Sequence, residues 1–196
     1  EISARELSKV IVNRSLYNDD NTAHDDITAC VIYCRKPRKL LVITGPSVKE
    51  ENDKQMAETV DKFVGQKIVC GGTTAKIIGR ELKKEITVNI LEISKKVPPC
   101  AHMEGVDLIT EGILTLSKVA EYLESGNIPK ENNAAEKIIE YLLNNDIINF
   151  IVGTKINEAH QDPKMPLDIE IRRSIIKRII KTLEEKYLKK TILEYI

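Results

Sequence analysis

The chain contains no tryptophan and only 2 phenylalanines, and aromatic residues make up 4% of its 196 positions. A core built from large rings is excluded, so Ile, Leu and Val must fill it. Neither sign of charge is in excess: 30 Lys and Arg stand against 30 Asp and Glu. Without a basic surplus, a nucleic-acid partner is not expected, and neither is charge-driven attraction to a membrane surface. Apolar runs stay well short of the roughly 18 residues that a membrane-spanning helix needs. The N-terminal stretch is polar and charged, unlike a signal peptide. Four cysteines in a chain this long do not make a disulfide framework, and the expected compartment is the cytoplasm. The chain opens on Glu1 rather than Met, which leads us to expect a fragment or a processed product. Its 42% hydrophobic and 31% charged residues are those of an ordinary globular domain.

The organising stretch is KIVCGGTTAKIIGREL, residues 67–82. Residues 67–70 form a short apolar run with β-branched members and read as a buried strand. Gly71 and Gly72 follow, where the backbone can turn without a Cβ penalty. Thr73 and Thr74 are expected to cap a helix whose apolar face carries Ala75, Ile77, Ile78 and Leu82. The result is a βα unit with open N–H donors at its turn, a place that suits an anion. The plainer reading is a tight βα connection, because Gly-Gly-Thr-Thr is not a complete phosphate-loop fingerprint.

Around it, strands are expected at 27–34, 40–44, 86–90, 106–110, 147–152 and 191–195. Helices are expected at 1–16, 49–63, 113–125, from Asn132 or Asn133 to 143, and at 168–187. Residues 93–104, with Pro98 and Pro99, read as an irregular loop, and 153–166 as a long one. The basic, proline-bearing 35–39 reads as a domain boundary. Strands alternating with helices imply an α/β fold: a Rossmann-like three-layer sandwich with a mostly parallel sheet over 39–196, preceded by a helix, acidic loop and strand over 1–38.

In an open parallel sheet ligands bind outside the carboxyl ends of the strands. Four segments lie there: 45–47, 71–74, 110–112 and 153–162. Lys155 could meet a phosphate beside Thr73 and Thr74 if strand order brings their loops together. His160 beside Asp162 could orient an imidazole for acid–base work, although a surface loop with Asp and Asn turns explains the same residues. Cys30 and Cys34 lie on one face of the expected strand and read as small buried hydrophobes. Cys100 and His102 could share a metal, but no second pair completes four ligands. Asp25 and Asp26 entering a strand suit a hard cation such as magnesium or manganese, or a simple acidic turn. No nucleophile elbow or Cys–His motif is visible.

At His24-Asp25-Asp26-Ile27-Thr28-Ala29-Cys30-Val31-Ile32 the chain resembles the last motif of metal-dependent serine/threonine protein phosphatases, in the bacterial branch typified by the stage II sporulation E phosphatase. The likeness covers residues 1–34. It implies that Asp25 is a manganese or magnesium ligand, that Asp26 fills the neighbouring Asn-or-Asp position, and that an upstream phosphatase domain is the partner. The family's Gly-Asp-Gly step is missing from this chain, so the resemblance implies a C-terminal piece holding one metal ligand. From Leu40 onward the chain is similar to a tail of some such phosphatases, including Gly-Gly-Thr-Thr-Ala at 71–75 and Ala-His-Gln-Asp-Pro at 159–163. That likeness implies association, not mechanism.

The resulting expectation is a regulatory or ligand-binding α/β domain attached to a phosphatase, not catalytic by itself. Its ligand would be a small anion held by Gly71, Gly72, Thr73, Thr74 and Lys155. The alternatives are a stand-alone enzyme acting on a phosphorylated metabolite or nucleotide, with His160 and Asp162 in acid–base roles, and a ligand-free dimerisation module. The strand at 27–34, lacking phosphatase partners, is expected to pair along a sheet edge or with a second copy of the chain.

Overall fold

A computed structural model describes residues 2–88, 101–129, 133–154 and 166–196. Its contacts divide the chain into two units, Glu1–Lys36 and Pro37–Ile196. The division falls inside the basic, proline-bearing stretch.

The first unit holds one helix, α1 (Ala4–Asn18). A reciprocal cap starts it: the Glu6 N–H donates to the Ser3 hydroxyl at 3.1 Å, and the Ser3 N–H donates to the Glu6 carboxylate at 3.0 Å. The Ser3 backbone and hydroxyl donors hold the Glu6 carboxyl below its ordinary range. Leu7, Val10 and Ile11 share a side of α1, yet no residue of the helix is buried. Residues 27–34 do not form the expected strand. Ile27, Ala29 and Val31 alternate half-buried with exposed Thr28, Cys30 and Ile32, so the pattern of a pleated segment is there. A ladder is not, because β propensity is realised only against a neighbouring strand. Cys30 and Cys34 are accordingly exposed rather than buried.

The second unit is α/β. Its elements are β1 (Lys39–Thr44), α2 (Glu50–Lys62), β2 (Gln66–Cys70), α3 (Gly72–Leu82), β3 (Ile86–Val88), β4 (Ala101–Met103), β5 (Val106–Thr110), α4 (Ile113–Ser125), α5 (Ala134–Asn144), β6 (Ile147–Val152), α6 (Pro166–Glu185) and β7 (Lys190–Tyr195). The strands form one sheet in the order β3-β4-β5-β2-β1-β6-β7. The five from β5 to β7 are parallel, and β3 and β4 add an antiparallel edge. Strand β4 lies within the stretch expected as irregular. It is only three residues long and earns its ladder from β3 and β5.

The parallel strands are apolar on both sides because helices cover both. Leu40, Val42, Ile68, Leu108, Ile148 and Phe150 pack with α4, α5 and α6, among them Leu116, Val119, Ile138, Leu142, Ile176 and Ile179. Leu41, Ile43, Val69, Ile109 and Ile151 pack with Met56, Val60, Ala75 and Ile78 of α2 and α3. Alternation along each strand thus divides the core in two. Helix ends are tied by side chains as well: Lys186 Nζ donates to the Leu123 and Glu124 carbonyls at the end of α4, both at 3.0 Å, and Lys189 Nζ to the Leu143 carbonyl of α5 at 2.6 Å. Among the described residues, no helix is long and apolar enough to cross a membrane.

Candidate functional site

From β1 the chain runs to β2 in one direction across the sheet, while β6 and β7 lie in the other. The carboxyl ends of β1 and β6 therefore border a topological switch point, where α/β sheets take ligands. The ladders place the last paired residues of four strands in one row: Val152 opposite Thr44, Thr44 opposite Cys70, and Cys70 opposite Thr110. The residues that follow form the rim: Gly153, Gly45, Gly71 and Glu111. Three adjacent exits thus end in residues without side chains.

The rim is tightly built. The Gly153 N–H donates to the Thr44 carbonyl at 2.8 Å, and the Gly71 N–H to the Thr110 carbonyl at 2.9 Å. Gly71 has φ +128, in the region that favours glycine. A Cβ on Gly112 would sit 3.7 Å from the Gly71 Cα, so the turns after β2 and β5 are neighbours. Both turns start helices without help from a side chain. Gly71 is the N-cap of α3 and Gly112 that of α4, and neither helix has a side-chain cap hydrogen bond.

This corrects the expected capping. Thr73 and Thr74 lie inside the first turn of α3, because the helix begins one residue earlier than the hydroxyls could cap it. Gly72 and Thr73 are exposed and Thr74 is buried. A Cβ on Gly72 would meet nothing within 4 Å. The first turns of α3 and α4 therefore both start at the rim, from neighbouring strand exits but on opposite faces of the sheet, each with its N–H groups at the positive end of a helix.

Below the rim lies a row of short polar side chains on the face that α4, α5 and α6 cover. Thr44 is two residues beyond Val42 and shares its side of β1. Thr44 is 1% exposed, and its hydroxyl has no hydrogen-bond partner among the described residues. Its neighbour Cys70 is fully buried, and that burial pushes the thiol up to about 12, a hydrogen bond with Thr110 opposing the shift. The Thr110 hydroxyl also donates to the Glu111 carbonyl at 2.9 Å. A thiol so protonated is not a nucleophile.

Cationic charge reaches the rim from α6. A Cβ on Gly45 would lie 2.9 Å from an Nη of Arg172 and 3.1 Å from its Cζ, so the guanidinium packs on the β1 turn. On the opposite face, Ser47 and Asp53 are buried, at 0% and 4% exposure. The Ser47 hydroxyl donates to Asp53 Oδ1 and lies 2.9 Å from the Lys49 carbonyl. Arg80 donates to Asp53 Oδ2 at 2.9 Å. This network fastens the turn after β1 to α2 and α3.

The rim thus brings together Gly71, Gly72 and Thr73 with the turn carrying Gly112. Lys155, His160 and Asp162 lie outside the described residues, as does Cys100. Asp25 and Asp26 are exposed in the first unit, where the Asp26 N–H donates to Asp25 Oδ1 at 2.8 Å. Among the described residues, no group of three or more His, Cys, Asp or Glu is placed to hold a metal. His102 is exposed on β4. Thr44, Asp53 and Arg172 escape sequence reasoning. Thr44 carries one signal, a polar residue closing an otherwise apolar strand.

No family model matches this chain, and neither a curated protein nor a solved structure matches it.

Proposed function

We propose that this chain is a ligand-binding regulatory module, with residues 39–196 holding a small anionic molecule at the carboxyl rim of the sheet. The single observation behind the reading is the pairing of two glycine-capped, side-chain-free helix starts, Gly71 and Gly112, at neighbouring strand exits. Backbone N–H groups and helix dipoles there favour an anion without supplying any group for chemistry. The strand order β5-β2-β1-β6-β7 with helices on both faces supports a Rossmann-like three-layer sandwich. Cys70 is protonated and buried, which favours binding over nucleophilic turnover. Residues 1–38, with Asp25 and Asp26, are read as the end of a metal-dependent serine/threonine phosphatase domain. In that setting Asp25 serves a manganese or magnesium centre completed by upstream residues, and the protein works in the cytoplasm.

The test is a thermal-shift screen of the chain with phosphate, pyrophosphate, nucleotides and sugar phosphates, run beside a phosphatase assay in manganese. Stabilisation by a phosphorylated compound with no turnover is the expected result. A flat response to every anion removes the binding role, and robust turnover removes the regulatory one. Chemical conversion of a stabilising compound transfers the reading to a stand-alone enzyme.

A further inference from the structure

We propose that two copies of this chain associate through the β7 edge of the sheet, the two β7 strands pairing antiparallel about a two-fold axis at Ile192. This goes beyond the anion reading of the rim and does not depend on it. Among the described residues β7 is an outer strand that pairs with β6 alone. It runs from Lys190 to Tyr195 in unbroken register with β6 and contains no proline. Such an edge is a template for a further strand.

The backbone decides which groups it offers. The Lys190 and Ile196 N–H groups point to the β6 side, donating to the Asp146 and Val152 carbonyls at 3.0 and 3.1 Å. Backbone groups alternate along a strand, so those of Thr191 and Leu193 point to the open side. In an antiparallel pair the Thr191 N–H and C=O then meet the C=O and N–H of the partner's Leu193. Ile192 falls on the axis in a non-hydrogen-bonded pair, where facing side chains come closest. The same register sets Lys190 opposite the partner's Glu194. Sliding to the next allowed register in either direction sets Ile192 opposite Lys190 or Glu194 instead. Leu193 packs with the core under α4, α5 and α6, so Lys190, Ile192 and Glu194 lie on the other face. There all three are exposed, Ile192 at 48%, and neither Lys190 nor Glu194 has an ion-pair partner among the described residues. Residues 27–34, the other strand-patterned stretch, carry no charged side chain to meet them, so a second β7 fits this edge better. The ladder is short, and the association is therefore reversible and concentration-dependent.

The experiment is sedimentation equilibrium of the full chain over a concentration series, with a monomer–dimer equilibrium as the expected result. Ile192→Lys changes an exposed side chain and sets like charges together on the axis, so it should give a monomer with an unchanged circular dichroism spectrum. Lys190→Glu places like charges across the axis and should weaken association about tenfold. Adding Glu194→Lys to it should restore the wild-type affinity, and this charge pair carries the test if Ile192→Lys fails to fold. A wild type that stays monomeric at every soluble concentration overturns the proposal. A dimer whose affinity Ile192→Lys leaves unmoved also overturns it and places the contact elsewhere, residues 27–34 included. A double reversal that fails to restore association overturns the register.

Discussion

Gly45 and Gly153 meet backbone to backbone at the point where the sheet changes direction. A Cβ on Gly45 would lie 2.8 Å from the Gly153 carbonyl oxygen, and one on Gly153 would run into the carbonyl oxygens of Gly45 and Pro46. Neither obstacle is a flexible side chain, so nothing yields without moving a turn. Gly153→Ala should therefore destabilise the α/β unit by about 1–3 kcal/mol. A lowered urea midpoint with an unchanged slope is the expected signature. A midpoint equal to wild type would mean that the two turns are not in contact.

The two threonines of the row below the rim should respond with opposite signs. Thr44 buries a hydroxyl that has no partner among the described residues, so Thr44→Val removes a desolvation penalty and should stabilise by about 1 kcal/mol. Thr110 donates to the Glu111 carbonyl, so Thr110→Val loses a bond and should destabilise by about 1 kcal/mol. Chemical denaturation of the two variants in parallel measures the difference. Equal shifts would show that the Thr44 hydroxyl is satisfied in solution.

Much of this architecture is legible in the chain, and what is not has a physical reason. Runs such as Leu40, Leu41, Val42 and Ile43 announce strands covered on both faces, and both faces are covered. Glycines at 45, 71, 112 and 153 mark the strand exits, and they share one rim because their strands are parallel. Strand order is not local: which exits are neighbours follows from crossovers that no short pattern encodes. Arg172 illustrates the limit, reaching Gly45 from 127 residues away in a helix whose sequence reads only as amphipathic. Thr73 and Thr74 mislead in the other direction. Their hydroxyls resemble caps, but Gly71 already occupies the capping position with φ +128, and the helix starts before them.

Asp53 holds the turn after β1 in place through Ser47 on one oxygen and Arg80 on the other. Asp53→Ala removes the carboxylate that accepts from both the Ser47 hydroxyl and the Arg80 guanidinium, leaving Ser47 only the Lys49 carbonyl, and should cost about 1–3 kcal/mol. Arg80→Ala should cost less, because the Arg80 side chain is 59% exposed and water replaces part of its contact. The ranking of the two melting temperatures is the check. Arg80→Ala more harmful than Asp53→Ala would place the stabilisation in the ion pair rather than in the serine bond.

Thiol chemistry should separate the cysteines by position. Cys30 and Cys34 are exposed, whereas Cys70 is buried with its thiol pushed up to about 12. At pH 8 an alkylating reagent should label Cys30 and Cys34 in the folded chain and leave Cys70 intact, because thiolate and access are both needed. Peptide mapping by mass spectrometry resolves the sites. Denaturant should make Cys70 react, and native labelling of Cys70 would contradict its place under the rim.

Helix α4 is tied to α6 by a two-pronged ion pair: Arg178 Nε donates to Glu124 Oε1 at 2.9 Å, and an Nη to Oε2 at 2.6 Å. The hydrogen bonds donated by Arg178 hold the Glu124 carboxyl below the ordinary glutamate value, and the accepting carboxylate raises the guanidinium. Both side chains are partly exposed, 42% and 39%, so solvent screening limits the contribution to about 0.5 kcal/mol. Its pH dependence has a definite sign. A carboxyl depressed in the folded state stabilises fully above its unfolded value and loses that contribution as pH falls through the folded value. Arg178→Ala should therefore be slightly less stable than wild type at pH 7, and the gap should close on acidification below the ordinary glutamate range. Melting temperatures of both proteins from pH 7 down to pH 3 decide it. A gap that widens in acid would mean that Arg178 acts on α4 through something other than the Glu124 carboxylate.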